Sequence, residues 1–529
     1  MSFLLCLAGK KKVDSEARAY AHLHPIGRGR DLAKPTSTRR PATYDPGFPH
    51  GRGDPSPTGE AGIAVFCRGV HCTSATYDPD FLHGRPMVAP TGIAAPTFSV
   101  GAVIDRPAAW IHKTDSRGRL SLRVGGKLPL DIYPKIWYND PKTIPRKEPH
   151  MNFQPLTEYL DNLFETEGVP SSDIIVYHKG KEVYRHTAGF QDVASGEPLR
   201  RDALYNVYSA TKLLTVVAGM QLFEKGKFLM SDPVGDYIPA FAHMKVESTN
   251  SHGATELADA RPMRVRDLFC MTSGLDYTMH TPAIQACVEE ANGAPTTAQV
   301  IDALAKRPLR FQPGDRWMYG TSHDVLLRLV EVVSGEIFSE YAKKNIFEPI
   351  GMENTYFHAN EEIYARMASQ YRYDKETNRP VDMGKGRGSF GPLFESGGAG
   401  AISSTEDYGR FAETLTHMGV APTGARILSE RTVELMRSDC LTDVNRATFD
   451  WPRFRGYGYG FGVRVLKDPA ASGNLTPAGE FGWGGMAGAY VHCEPGTETS
   501  IVYMQHMIKN KEDIIHPRLR NMVYAGLYR

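Results

Sequence analysis

Ser209 and Lys212 are the residues whose types and spacing most directly suggest chemistry. They stand in Tyr208-Ser209-Ala210-Thr211-Lys212, followed by the apolar run Leu213-Leu214-Thr215-Val216-Val217. That run predicts a helix reaching about Lys225. On a helix, positions i and i+3 share a face, so the amine can reach the hydroxyl. An alcohol is a weak nucleophile until an adjacent base takes its proton. A serine at a helix N-terminus also lies where developing negative charge is favoured. A serine three residues before a lysine arises by chance about once or twice in a chain of this length. It also reads as an ordinary helix cap with its lysine in solvent, so its meaning depends on the elements around it.

Those elements become legible from Met151 onward. Residues 152–167 read as a helix. Asp173-Ile174-Ile175-Val176-Tyr177-His178 and Glu182-Val183-Tyr184-Arg185-His186 flank Lys179-Gly180-Lys181, the pattern of a β-hairpin. Residues from about 232 to 437 read mostly as helices with long connections. Strand patterns return at 460–466, 487–493 and 499–506, and a last helix covers about 514–527. Strands near both ends with helices between them predict an α/β domain. Its antiparallel sheet is built from both termini and flanked by helices, with a largely helical subdomain inserted.

Residues 1–150 have a different character. They are rich in Pro, Gly and Arg, lack sustained periodicity and carry an excess of about nine positive charges. Ala42-Thr43-Tyr44-Asp45-Pro46-Gly47-Phe48-Pro49-His50-Gly51-Arg52 returns imperfectly as Ala75-Thr76-Tyr77-Asp78-Pro79-Asp80-Phe81-Leu82-His83-Gly84-Arg85. Two copies are too few for a solenoid. Such a composition cannot bury enough apolar surface to order itself. The expectation is a low-order basic extension over 1–150, even upstream sequence outside the native protein, and a folded domain over 151–529.

The chain has 529 residues and a formal net charge of +1, so no global charge draws it to nucleic acid or acidic membranes. No stretch approaches the roughly 20 apolar residues of a membrane-spanning helix. The seven cysteines are scattered without metal-ligand spacing, the pattern of a reduced, cytoplasmic protein. No metal or cofactor is expected, and nothing in the sequence speaks to an oligomeric state. No G-x-S-x-G elbow surrounds any serine, which removes an α/β-hydrolase reading. No H-x-x-x-H with companion ligands supports a zinc hydrolase.

From about residue 151 to 529 the chain resembles the serine β-lactamase-related superfamily, with class C β-lactamases and family VIII carboxylesterases as the nearest likeness. Five blocks in order carry the resemblance. The first is Ser209-Ala210-Thr211-Lys212. The second is Met263 to Leu275, ending Thr272-Ser273-Gly274-Leu275. Pro313-Gly314-Asp315-Arg316-Trp317-Met318-Tyr319-Gly320-Thr321 matches the segment bearing the family's second catalytic block. Gly397-Gly398-Ala399-Gly400-Ala401-Ile402-Ser403-Ser404 resembles the glycine-rich stretch before the third. Gly482-Trp483-Gly484-Gly485 falls where the family carries K-T-G, H-T-G or W-G-G.

The resemblance implies a β-lactamase/transpeptidase-like fold and assigns roles. Ser209 would be the acylated nucleophile, Lys212 its proton acceptor and Tyr319 a second proton shuttle. The backbone amides of Ser209 and Met486 would form the oxyanion hole. Trp483, Gly484, Gly485 and Thr321 would line the substrate site, with Trp483-Gly484-Gly485 on an edge strand beside the nucleophile.

Two departures bear on substrate. Trp483 stands where β-lactamases and D-alanyl peptidases usually carry a lysine, and an indole offers an apolar face and one donor but no charge. Thr321 replaces an asparagine whose amide could bind an acylamido side chain. Both favour an uncharged small-molecule ester, so the leading expectation is a serine carboxylesterase acting on short-chain esters through an acyl-enzyme. The alternatives are a β-lactamase or D-amino-acid peptidase, an acyltransferase, and a non-catalytic penicillin-sensing or assembly protein. The intact Ser209, Lys212 and Tyr319 argue against the last.

Overall fold

The computed structural model describes residues 150–528 apart from 251, 378 and 387–389, so the expectations for the basic extension lie outside the described residues. The strands that matter here are β1 (Ser171–His178), β2 (Lys181–Asp192), β3 (Glu197–Pro198), β4 (Leu204–Asn206), β5 (Ile402–Ser404), β6 (Tyr457–Tyr459), β7 (Arg464–Leu466), β8 (Phe481–Gly484), β9 (Tyr490–Glu494) and β10 (Thr499–Met504). The helices are α1 (Gln154–Asp161), α2 (Thr211–Glu224), α3 (Ser322–Ser334), α4 (Thr405–Thr416) and α5 (Glu512–Leu527).

Eight strands form one sheet in the order β6-β7-β8-β9-β10-β1-β2-β3. Every pairing in it is antiparallel. The two ends of the domain therefore meet where β1 pairs with β10, Asp173 opposite Met504 and His178 opposite Thr499. The β1–β2 hairpin turns at Lys179 and Gly180, both at positive φ, as the tight turns preferred between right-twisted strands require.

Alternate residues of β1 face different layers, because side chains in a strand alternate between faces. Ile174 and Val176 pack with Leu156 and Leu160 of α1 and Ile515, Leu519 and Val523 of α5. Ile175 faces the other layer, which holds Leu213, Val217, Phe411 and Leu415 from α2 and α4. Residues 211–222 of α2 are buried on all sides. A helix apolar all round belongs in a core rather than on a surface, so α2 carries Ser209 and Lys212 into the centre of the domain. The short β4–β5 pair lies outside the main sheet. It brings the chain entering the nucleophile turn beside the end of the glycine-rich segment 397–401.

Several expectations change in detail. The first helix breaks at Asn162, and a short helix Leu163–Glu167 ends at Gly168 in the left-handed conformation. The strand expected over 460–466 is two strands, β6 and β7, joined at 460–463. The Trp483 strand is not an edge: β8 lies between β7 and β9. Within the region read as helical, Lys245–Thr249 pairs with Thr255–Asp259, and Tyr371–Asp374 with Arg379–Asp382. Thr255–Asp259 is exposed on most of its length, so neither face leaves a hydrophobic signature. Among the described residues, no helix is long and apolar enough to cross a membrane.

Candidate active site

The approach to Ser209 is strained. Tyr208, the residue before it, has φ of 46°, a conformation that costs a non-glycine residue roughly 1–2 kcal/mol. The Tyr208 hydroxyl donates to Gln370 Oε1 at 2.7 Å, which ties the ring down. Ser209 then sits in a turn of 3-10 helix, Tyr208–Ala210, that runs directly into α2.

Lys212 occupies the first turn of α2 and is fully buried. Its Nζ donates to Ser209 Oγ at 3.3 Å, to Tyr277 Oη at 2.5 Å and to the Gly398 carbonyl at 2.7 Å. An amine with three donors that loses its water needs three acceptors, and these supply them. Lys212 Nζ also lies 4.7 Å from the Tyr319 ring centre and 5.2 Å from that of Tyr277. The two tyrosine rings are 5.3 Å apart. Ser209, Lys212 and Tyr319 thus lie together.

Tyr277 is the member that the sequence reading passed over. It lies two residues beyond the Thr272-Ser273-Gly274-Leu275 block, which was the available signal. Besides accepting from Lys212, its hydroxyl reaches Ser209 and Tyr319. Burial, with Tyr319 and the Asp324 carboxylate nearby, pushes its phenol well above the ordinary range, so it keeps its proton. Gly398 belongs to a block singled out in the sequence but given no role there, and its carbonyl is one of the three acceptors of Lys212.

The glycine-rich end of β8 packs against the nucleophile turn. A Cβ on Gly485 would lie 2.2 Å from the Val207 carbonyl oxygen, which demands glycine. Gly485 N donates to Ala489 O at 2.7 Å, turning the chain immediately after the strand. The Met486 side chain is exposed, and its carbonyl accepts from Asn510 Nδ2 at 3.0 Å.

Trp483 and Thr321, expected to line the substrate site, each bond a neighbouring residue. Trp483 is buried, and its indole N–H donates to the Tyr319 hydroxyl at 2.9 Å. Thr321 is also buried, and its hydroxyl donates to the Asp276 carbonyl at 3.2 Å, next to Tyr277. Around Tyr319 the chain builds a wall of rings: Trp317, Trp451 and Trp483 lie 6.2, 5.2 and 5.3 Å from it, and Phe454 lies 5.4 Å from Trp483. Trp451 and Phe454 are only half-buried. They present ring faces beside Tyr319 and Trp483, and the Arg453 guanidinium lies 4.9 and 5.1 Å from the Trp451 and Phe454 rings.

The family model described as Beta-lactamase matches residues 156–521. Protein Rv1367c of Mycobacterium tuberculosis (strain ATCC 25618 / H37Rv) is 30% identical over 341 residues, covering 63% of this chain and 84% of that protein. Esterase EstB of Burkholderia gladioli is 29% identical over 340 residues, 59% of this chain and 80% of the esterase. Among solved structures, EstCE1, a hydrolase with promiscuous acyltransferase activity, aligns with a TM-score of 0.58 at 23% identity, covering 71% of this chain and 98% of that one. Simvastatin synthase (LovD) from Aspergillus terreus aligns with a TM-score of 0.59 at 21% identity, with the same coverage. The structural likenesses establish the shared fold, with its large antiparallel sheet, and the family match spans both ends of that sheet and the helices between them. On that match the chain belongs to the Beta-lactamase family, a serine-hydrolase family in which it has esterase and acyltransferase relatives.

Proposed function

We propose that this protein is a serine esterase that cleaves uncharged carboxylic esters through an acyl-enzyme on Ser209. The observation that carries the reading is the position of the Lys212 amine, bonded at once to Ser209 Oγ, Tyr277 Oη and Gly398 O. Ser209 Oγ attacks the ester carbonyl carbon, and its proton passes to Lys212 as the neutral amine or to Tyr319 as the phenolate, the forms able to accept it. The carbonyl oxygen becomes an oxyanion held by the amides of Ser209 and Met486, each such donor being worth roughly 3 kcal/mol. The alcohol leaves with a proton returned from the same group. Water then attacks the acyl-enzyme and frees Ser209.

Two contacts favour a plain ester over a β-lactam or a peptide C-terminus. The Trp483 N–H is engaged by Tyr319, and the Thr321 hydroxyl by Asp276. Neither supplies the charge or the amide that those substrates use in the resembled enzymes. Short acyl chains remain our reading of substrate size. Transfer of the acyl group to an alcohol other than water is the second reading. It is favoured by a relative named acyltransferase CalJ in Penicillium decumbens, 30% identical over 240 residues.

The test is hydrolysis of p-nitrophenyl esters of rising chain length, with nitrocefin beside them, by the parent protein and by Ser209→Ala. Removing an acylated nucleophile should lower kcat by at least about 10⁴-fold. Full activity in Ser209→Ala sinks the proposal, and nitrocefin turnover exceeding that of every ester redirects it to a β-lactamase.

A further inference from the structure

Asp324 lies on the first turn of α3, five residues beyond Tyr319, and is buried at 3% exposure. A carboxylate at such depth costs several kcal/mol unless it is paired or hydrogen-bonded. Its Oδ1 accepts the Ser396 hydroxyl at 2.6 Å and the Gly398 N–H at 3.1 Å. The carbonyl of that same glycine accepts from Lys212 Nζ at 2.7 Å. The turn between them is clamped from both sides. A Cβ on Gly398 would lie 2.7 Å from Asp324 Oδ2, and one on Gly397 would lie 2.3 Å from the His323 carbonyl oxygen. Thr215 Oγ1 of α2 donates to Gly397 O at 2.9 Å. No role in the mechanism above uses this carboxylate, yet it supports the turn that carries one Lys212 acceptor named there.

We propose that Asp324 is a positioning residue for Lys212: through the Ser396–Gly398 turn it holds the Gly398 carbonyl against the amine, and its negative charge balances positive charge on that amine during acyl transfer. The inference rests on the reading of Ser209 and Lys212 as the reacting pair. The titratable groups around Lys212 are Tyr277, Tyr319, His323 and Asp324. His323 is buried and held to about 3 by that burial and by the Lys212 charge, so it stays neutral. Tyr277 keeps its phenol proton. Burial raises the Asp324 carboxyl, while the Lys212 charge and the two hydrogen bonds oppose that rise. Of these four groups, Asp324 is the carboxylate able to balance the amine. When Ser209 gives up its proton, a buried amine with no counter-charge takes it poorly.

The test compares the pH profiles of kcat/KM for a p-nitrophenyl ester in the parent and in Asp324→Asn. Melting temperature and fluorophosphonate labelling of Ser209 are recorded for each. Asparagine keeps an oxygen for Gly398 N–H but removes the charge. The expected result is a folded variant that still labels, with kcat lower by about 10–100-fold and KM within about 2-fold of the parent. Its profile should move to lower pH, because losing a nearby anion favours the neutral amine. A folded Asp324→Asn with the parent's kcat and profile overturns the proposal. If Asp324→Asn does not fold, Ser396→Ala carries the test. It leaves the charge and removes one tether, so kcat should fall about 3–10-fold with the profile unmoved. An unchanged kcat there also overturns it. A parent protein with neither Ser209-dependent turnover nor labelling overturns the site reading itself, and this inference with it.

Discussion

Trp483 donates its indole N–H to the hydroxyl of Tyr319 at 2.9 Å, across 164 positions of sequence. The indole is buried on an interior strand, with its ring 5.3 Å from Tyr319 and 5.4 Å from both Phe454 and Tyr459. On the other side the Tyr319 ring lies 4.7 Å from the Lys212 amine. Tyr319 is therefore fixed between a strand of the sheet and the helix bearing Lys212. In the proposed mechanism, Trp483 orients one of the reacting groups.

Trp483→Phe tests that relationship, since it keeps an aromatic ring and removes the donor. A hydrogen bond to a group that carries charge during reaction is worth about 1.5–3 kcal/mol. Ester kcat/KM should therefore fall by about 10–100-fold, in a variant that still folds with a somewhat lower melting temperature from the lost buried volume. An unchanged kcat/KM in steady-state assays would show that the indole N–H has no part in turnover.

Tyr277→Phe removes one of the three acceptors of Lys212. A buried donor left without a partner costs about 1–3 kcal/mol, so the amine should shift and kcat should drop about 10-fold or more. Labelling of Ser209 by a fluorophosphonate should slow in parallel, since in the proposed mechanism the same amine activates the serine. Parent-like labelling kinetics would place Tyr277 outside the reacting group.

Gly484 and Gly485 should respond very differently to alanine. A Cβ on Gly485 meets the Val207 carbonyl oxygen at 2.2 Å, whereas one on Gly484 meets the Ala489 oxygen at 3.0 Å. The first clash is with rigid backbone just ahead of the nucleophile turn, and relieving it must displace that turn. Gly485→Ala should lower kcat by about 100-fold or more, since misplacement by about 1 Å has that effect. Gly484→Ala should be clearly milder in the same assay. Equal activities would contradict the packing of β8 on the turn.

His506 gives the fold an acid sensitivity of known sign. Its Nε2 accepts from Asn206 N at 3.3 Å and lies 3.2 Å from Asn206 Nδ2, while its Nδ1 faces the Ala368 carbonyl at 2.9 Å. Burial lowers its pKa to about 4 from an ordinary 6.5, with the Ala368 bond opposing. The unfolded chain therefore takes up the proton first. The stability tied to the neutral ring is complete above about 6.5 and is lost as pH falls toward 4, at up to about 1.4 kcal/mol per pH unit. His323 and His516, each held to about 3, act in the same sense. The buried carboxyls of Asp324 and Asp407, pushed up, oppose it. In urea unfolding at a series of pH values, His506→Gln should flatten the acid slope by about one proton. An identical slope would contradict the buried neutral ring.

What the sequence by itself determined is local or modular. The pairing of Ser209 with Lys212 follows from helical periodicity over three residues, and the hairpin at Lys179-Gly180 from turn chemistry over two. The ordered blocks pointed to the fold through a family resemblance, and strand patterns at both ends of the domain pointed to one shared sheet, where β1 pairs with β10. Tertiary structure alone decided the partners of the amine. Tyr277 stands 65 positions from Lys212 and Gly398 stands 186, and no local period links such distances. It also decided which way Trp483 and Thr321 point. A residue type states which bonds a side chain can make, but only the packing of β8 and α3 around α2 selects the atoms within reach, and it turned both side chains inward onto Tyr319 and Asp276.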